Sequence, residues 1–118
     1  MTFSEKSIEI QPEILKRHKG GEFAKPITLD DSAFTNGVCK AGTPINADGE
    51  IAETTEGEND APDTNDAIGI LLNDVYSSNP NGSLLYANAV INVAVAEDWA
   101  DVEYDDALIA QLSHLVFE

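Results

Sequence analysis

Carboxylates come first among the residue types that do chemistry, since 22 of the 118 residues are Asp or Glu. Asp60, Asp63 and Asp66 recur at a spacing of three, with Glu56, Glu58 and Asn59 just upstream. Calcium takes roughly six to eight oxygen ligands, and a cluster of this kind offers several. The alternation and closing glutamate of an EF-hand loop are absent, however, and Pro62 and Thr64 suit a solvated loop equally well. No metal is expected there. Nucleophilic catalysis needs a Ser, Cys or Thr held against a base, usually His. The two histidines, His18 and His114, have no recognisable partner motif, and no G-x-S-x-G occurs. Cys39 adjoins Lys40, a neighbour that lowers a thiol pKa, yet in a strand it behaves as a small buried hydrophobe. Gly20-Gly21 lacks the Lys-Ser/Thr and following helix of a phosphate loop, and Cys/His metal spacings are missing. With so many acids, chance carboxylate pairs specify nothing. Neither an enzyme nor a cofactor is expected.

Net charge is -16, and its distribution says more than its size. All six basic residues (Lys6, Lys16, Arg17, Lys19, Lys25, Lys40) lie in the first 40 positions, where six acids balance them. Residues 41–118 hold the other sixteen acids and no Lys or Arg. A field of that sign repels nucleic acid and anionic membranes, so neither is an expected partner. The basic knot Lys16-Arg17-His18-Lys19 also lacks the aromatic stacking partners that nucleic-acid binding uses. It reads instead as the handle by which the N-terminal segment meets a surface outside its own domain. The lone cysteine makes no internal disulfide, which suits a reducing compartment. No run approaches the roughly 18 apolar residues of a membrane span, and the N-terminus lacks a signal-peptide core. A soluble, unsecreted, single-domain protein is the expectation.

The elements that must position these residues centre on 38–75. Val38-Cys39-Lys40 through Ile45 and the run from Ile68 to Val75 have the composition of half-buried strands. Asp48-Gly49 and Asn36-Gly37 signal tight turns. Pro44 marks an edge strand or a bend. The acidic stretch 53–66 has no Val, Ile, Leu or aromatic residue and reads as a solvated loop. Ahead of this framework, residues 1–24 form a flexible arm, with a short helical turn over 13–19 ending at Gly20-Gly21. Lys25-Pro26 introduces a β-rich body over 25–118. Its longest apolar run, 84–96, reads as a central strand bent around Asn88, because Asn88, Asn92 and the β-branching weigh against a helix. Residues 97–101 then turn the chain, with Trp99 packed over the end of the core. A helix follows over 105–116, with Leu108, Ile109, Leu112, Leu115 and Val116 on one apolar face and His114 on the other side. The expected fold class is mainly β (α+β): a small sandwich- or barrel-like body with an arm and a short C-terminal helix.

In order, a polar arm precedes Lys40-Ala41-Gly42-Thr43-Pro44-Ile45, then an acidic loop, then Ala67-Ile68-Gly69-Ile70-Leu71-Leu72-Asn73-Asp74-Val75. A long strand around Leu85-Tyr86-Ala87-Asn88-Ala89 and a closing helix complete the layout. This order resembles the head decoration proteins of tailed bacteriophages, the phage lambda decoration protein family. The likeness covers residues 25–118 in layout and is close over KAGTPI and AIGILLNDV. It implies a homotrimer on the capsid exterior, seated where major capsid proteins meet at local three-fold positions. Such trimers stabilise the expanded head against internal DNA pressure. The resemblance also implies that the arm docks on the capsid, partly by adding a strand to it. Ile8, Ile10, Lys16, Arg17 and Lys19 are the candidate docking residues. The alternative reading is a small acidic β module for adhesion or carbohydrate binding on a virion or cell surface.

Overall fold

The computed structural model describes residues 13–17 and 23–118, and the architecture is mostly β, with several sheets. The chain enters as β1 (Leu15–Arg17) and β2 (Phe23–Thr28). A short 3-10 turn, Asp31–Ala33, follows; the Asp30 carboxylate caps it by accepting from the Ser32 amide. β3 (Val38–Cys39), β4 (Pro44–Asn46), β5 (Thr54–Thr55) and β6 (Thr64–Asn65) come next. Then come β7 (Ala67–Leu71), β8 (Val75–Tyr76), β9 (Asn81–Ala87) and β10 (Val90–Ile91). Two short helices, α1 (Val93–Ala100) and α2 (Asp106–Gln111), precede β11 (Val116–Phe117).

The largest sheet is antiparallel, in the order β2-β9-β7-β4. Its two central strands explain the continuous apolar runs in the sequence. Successive strand residues point to opposite faces, and here both faces are covered. Ile70 and Leu85 enter one core with Ile14, Ile91, Tyr104, Leu108, Leu112 and Leu115. Their neighbours Leu71 and Leu84 enter a second core with Leu29, Cys39, Ile45 and Val75. Gly69 permits the close passage of β7 beside β9, since a Cβ there would lie 2.7 Å from the Leu85 carbonyl oxygen. Pro44 begins β4, an edge strand as expected, but Val38 to Ile45 is not one strand: a turn at Ala41-Gly42, with Gly42 at φ 96°, divides it into β3 and β4 of different sheets. The Asp48-Gly49 turn forms as expected: Ile45 bridges to Ile51, and Gly49 has φ 79°.

The run 84–96 departs from expectation. β9 stops at Ala87, and Asn88 takes the left-handed conformation (φ 56°) while its amide donates to the His114 carbonyl at 3.0 Å. Asn92 then caps α1, its side chain accepting from the Val95 amide at 3.3 Å. The two asparagines act as breaker and cap, the roles their short polar side chains favour. Alanines then carry the helix through Trp99 to Asp101, which ends it in the left-handed region. Residues 97–101 are therefore the last turn of α1 and its cap, not a separate bend.

The C-terminal helix is also shorter than its apolar spacing predicts. α2 begins one residue after the cap Asp105 and ends at Gln111. Leu108, Leu112 and Leu115 are buried, whereas Ile109 and Val116 are 38% and 42% exposed. Val116–Phe117 instead pairs in parallel with β10, placing the Val116 amide 2.9 Å from the Ala89 carbonyl. His114 lies exposed in the turn after the helix.

At the other end, residues 13–17 form no helical turn. β1 pairs antiparallel with β10, and the Asn92 amide donates to the Ile14 carbonyl at 2.7 Å. Ile14 and Leu15 lie in the first core. β2, which begins inside the expected arm at Phe23, pairs along β9. The described part of residues 1–24 thus belongs to the folded body, because Ile14 and Leu15 pack in the core with Ile91, Leu108 and Leu112 and both strands pair within sheets.

Tyr104 joins the helical layer to the turn before β4. Its hydroxyl donates to the Gly42 carbonyl, and its ring meets Phe117 edge-on at 5.5 Å. Burial, and secondarily the carboxylate of Glu97, pushes its pKa well above the usual tyrosine value. Tyrosinate is therefore harder to form in the folded chain than in the unfolded one. This contribution to stability is fully present below about pH 10, the unfolded value, and is lost as pH rises from there toward the folded value. The slope is about 1.4 kcal/mol per pH unit once the unfolded tyrosine has ionised. Urea titrations above that pH should show the decline, and Tyr104→Phe should flatten it.

Candidate functional site

Of the five docking candidates, the structure places two. Lys16 is exposed on β1, and Arg17 ends that strand. β1 forms the edge of the three-stranded sheet β1-β10-β11, so the two basic residues sit at a sheet edge held by Leu15 pairing with Ile91. Ile8, Ile10 and Lys19 lie outside the described residues.

A second edge carries a feature that sequence reasoning missed. β2 is exposed along its whole length except at the half-buried Ile27. Phe23 is 52% exposed, and its ring lies 6.0 Å from that of Tyr86 on β9, tilted by 41°. The Lys25 ammonium stands 5.4 Å from the centroid of Tyr86, a cation–π distance. The signal for this aromatic and cationic patch was Pro26, which belongs on an edge strand. Its pairing with Tyr86 arises only from the β2–β9 register.

A cleft of about 560 Å³ opens between the β3 hairpin and the C-terminal end of α1. Thr35, Asn36, Cys39 and Lys40 line one wall, and Trp99 and Val102 the other. The Trp99 indole N–H donates to Asp74 Oδ1 at 2.8 Å, and the same oxygen accepts from the Ala41 amide at 2.8 Å. The Lys40 ammonium lies 4.4 Å from the centroid of the Trp99 ring. Cys39 is buried, and burial raises its pKa; a hydrogen bond from Thr43 opposes this and the Asp74 charge adds to it. The neighbouring Lys40 therefore does not make it a thiolate nucleophile, and it packs as the small hydrophobe expected of a strand cysteine.

The acidic stretch 53–66 is exposed, apart from a half-buried Asn65, but it is a short hairpin rather than a plain loop. Its carboxylates hold the hairpin itself. Asp63 accepts from the Gly57 amide at 3.0 Å, and Asp66 accepts from the Glu53 amide and the Asn46 carboxamide. Thr54 donates to Asp105 Oδ2 at 2.7 Å, tying the hairpin to the start of α2 and lowering the Asp105 pKa together with the Leu108 amide. Among the described residues, no three His, Cys, Asp or Glu groups converge to hold a metal ion, and no helix is long and apolar enough to cross a membrane.

No protein-family model, curated protein or solved structure matches the chain.

Proposed function

We propose that the chain is a structural virion protein that decorates the outer surface of an expanded phage head. The observation that carries this reading is the way the two segments of closest resemblance fit together. The Gly42 amide donates to the Leu71 carbonyl at 2.8 Å, and the Leu71 amide donates to the Thr43 carbonyl at 3.0 Å. Pro44 pairs with Ile70 in the same ladder. KAGTPI and AIGILLNDV are thus one structural unit. The charge split supports the same reading: a strongly acidic body follows an N-terminal segment holding most of the bases.

In this proposal homotrimers sit at local three-fold positions and bridge neighbouring major capsid proteins. The N-terminal arm adds a strand to the capsid, a mode in which backbone hydrogen bonds supply affinity and place few demands on side chains. Lys16 and Arg17, on the edge strand β1, are the docking candidates within the described residues. Many such sites repeated over a shell act together through avidity. The test is to mix purified protein with expanded and unexpanded undecorated heads and follow co-sedimentation. Binding to expanded heads is expected; binding to neither form sinks the reading.

The exposed Phe23–Tyr86 pair supports a second reading, an adhesion or carbohydrate-binding module, because sugar rings pack on exposed aromatic faces. A clear glycan-array signal that Tyr86→Ala removes would favour it.

A further inference from the structure

We propose that Asn36 is a site of spontaneous deamidation in the folded protein, and that the fold protects the other Asn-Gly pair in the chain. The sequence holds two such pairs, Asn36-Gly37 and Asn81-Gly82. Asparagine is thermolabile, and a following glycine leaves the attacking amide unshielded by any side chain.

The structure sets the two sites apart. Asn36 and Gly37 are both exposed and form the two-residue turn of the Thr35–Val38 bridge, with φ 54° and 81°. Positive φ at both positions is the type I′ geometry, and it keeps the Asn36 side chain outside any ladder. Among the described residues its carboxamide has no hydrogen-bond partner. The space around Gly37 is open: a Cβ there would meet only Ser77 Oγ, at 3.6 Å. Exposed turns of this kind open locally at little cost.

Asn81 is exposed as well, but its side chain is tied down by hydrogen bonds at both of its polar atoms. Its Oδ1 accepts from Thr28 Oγ1 at 2.9 Å, and its Nδ2 donates to Asn79 Oδ1 at 3.0 Å. It lies in β9 opposite Thr28, and Gly82 pairs with Ile27. A Cβ on Gly82 would come within 2.6 Å of Val75 Cγ2, so that peptide is packed against the second core. Bringing the Gly82 nitrogen to the Asn81 side-chain carbonyl carbon requires breaking the ladder first.

At Asn36 the Gly37 amide nitrogen loses its proton to solvent base and attacks the side-chain carbonyl carbon. The carboxamide nitrogen leaves as ammonia, and a cyclic imide remains. Water then opens the imide at either carbonyl, giving aspartate or isoaspartate. One water is consumed, one ammonia is released, and nothing is oxidised or reduced. Both products place a new negative charge on the wall of the cleft that Lys40 also lines. Isoaspartate also inserts a methylene into the backbone of a two-residue turn. That change disrupts the Thr35–Val38 hydrogen bonds and the bond from the Ser77 amide to the Gly37 carbonyl, and with them the β3–β8 pairing.

The experiment incubates the folded full-length chain in mildly alkaline buffer, and a second sample unfolded in urea. Peptides are then mapped by mass spectrometry, with chromatographic separation of the aspartate and isoaspartate forms. In the folded sample the Asn36 peptide should convert at least about tenfold faster than the Asn81 peptide. In urea the two rates should converge. A smaller ratio in the folded chain, or no conversion at Asn36 while the unfolded chain converts, overturns the proposal.

Discussion

Replacing Ile14 with alanine is expected to destabilise the folded body by about 2–5 kcal/mol, the range for truncating a fully buried aliphatic side chain. Ile14 has no exposed surface and packs in the first core with Leu15, Ile91, Leu108 and Leu115. The truncation leaves its carbonyl in place to accept from the Asn92 amide, so the loss reports the cavity and not the hydrogen bond. Urea denaturation should show a lower midpoint at an unchanged slope. Lys16→Ala, on the exposed side of the same strand, should change stability by no more than about 0.5 kcal/mol. If both substitutions prove equally mild, residues 13–17 do not belong to the core.

That result governs the design of the second test. Removing residues 2–12 is expected to weaken binding to expanded heads by about a hundredfold or more, equivalent to ~2.7 kcal/mol, with the body still folded. Removing residues 2–20 also takes away Ile14, Leu15 and the pairing of β1 with β10. The longer deletion should therefore unfold or strongly destabilise the body, and its loss of binding would say nothing about docking. Co-sedimentation read beside a urea titration separates the two causes. Full retention of binding by the shorter deletion would remove the arm from the proposed mechanism while leaving decoration by the body open to the direct mixing test.

Much of the framework could be read from residue types, because the physics there is local. Asn36-Gly37 and Asp48-Gly49 supply positive φ within the dipeptide itself, and both turns form. The runs from Ile68 and from Leu84 do enter strands, as their composition indicated, but strands covered on both faces rather than half-buried ones. The burial of Cys39 followed from its place in such a strand. The candidate surface was less legible. Lys16 and Arg17 were marked by charge alone, whereas the Phe23, Lys25 and Tyr86 patch escaped notice because its members lie some sixty residues apart.

Composition and local spacing thus decided the β character, the turns, the asymmetry of charge and the absence of a recognisable catalytic motif. The tertiary structure decided where the elements end. Leu15 to Arg17 is a strand because β10 offers an edge, and Val116–Phe117 is a strand because β10 offers the other. Residues 84–96 divide into strand, strand and helix because Asn88 and Asn92 bond to distant backbone and to the first turn of α1. A strand of two or three residues has little preference of its own, and its free energy comes from a partner elsewhere in the chain. No local periodicity records that partner. The segment that looked like a detachable arm therefore contributes, through Ile14 and Leu15, to the centre of the fold.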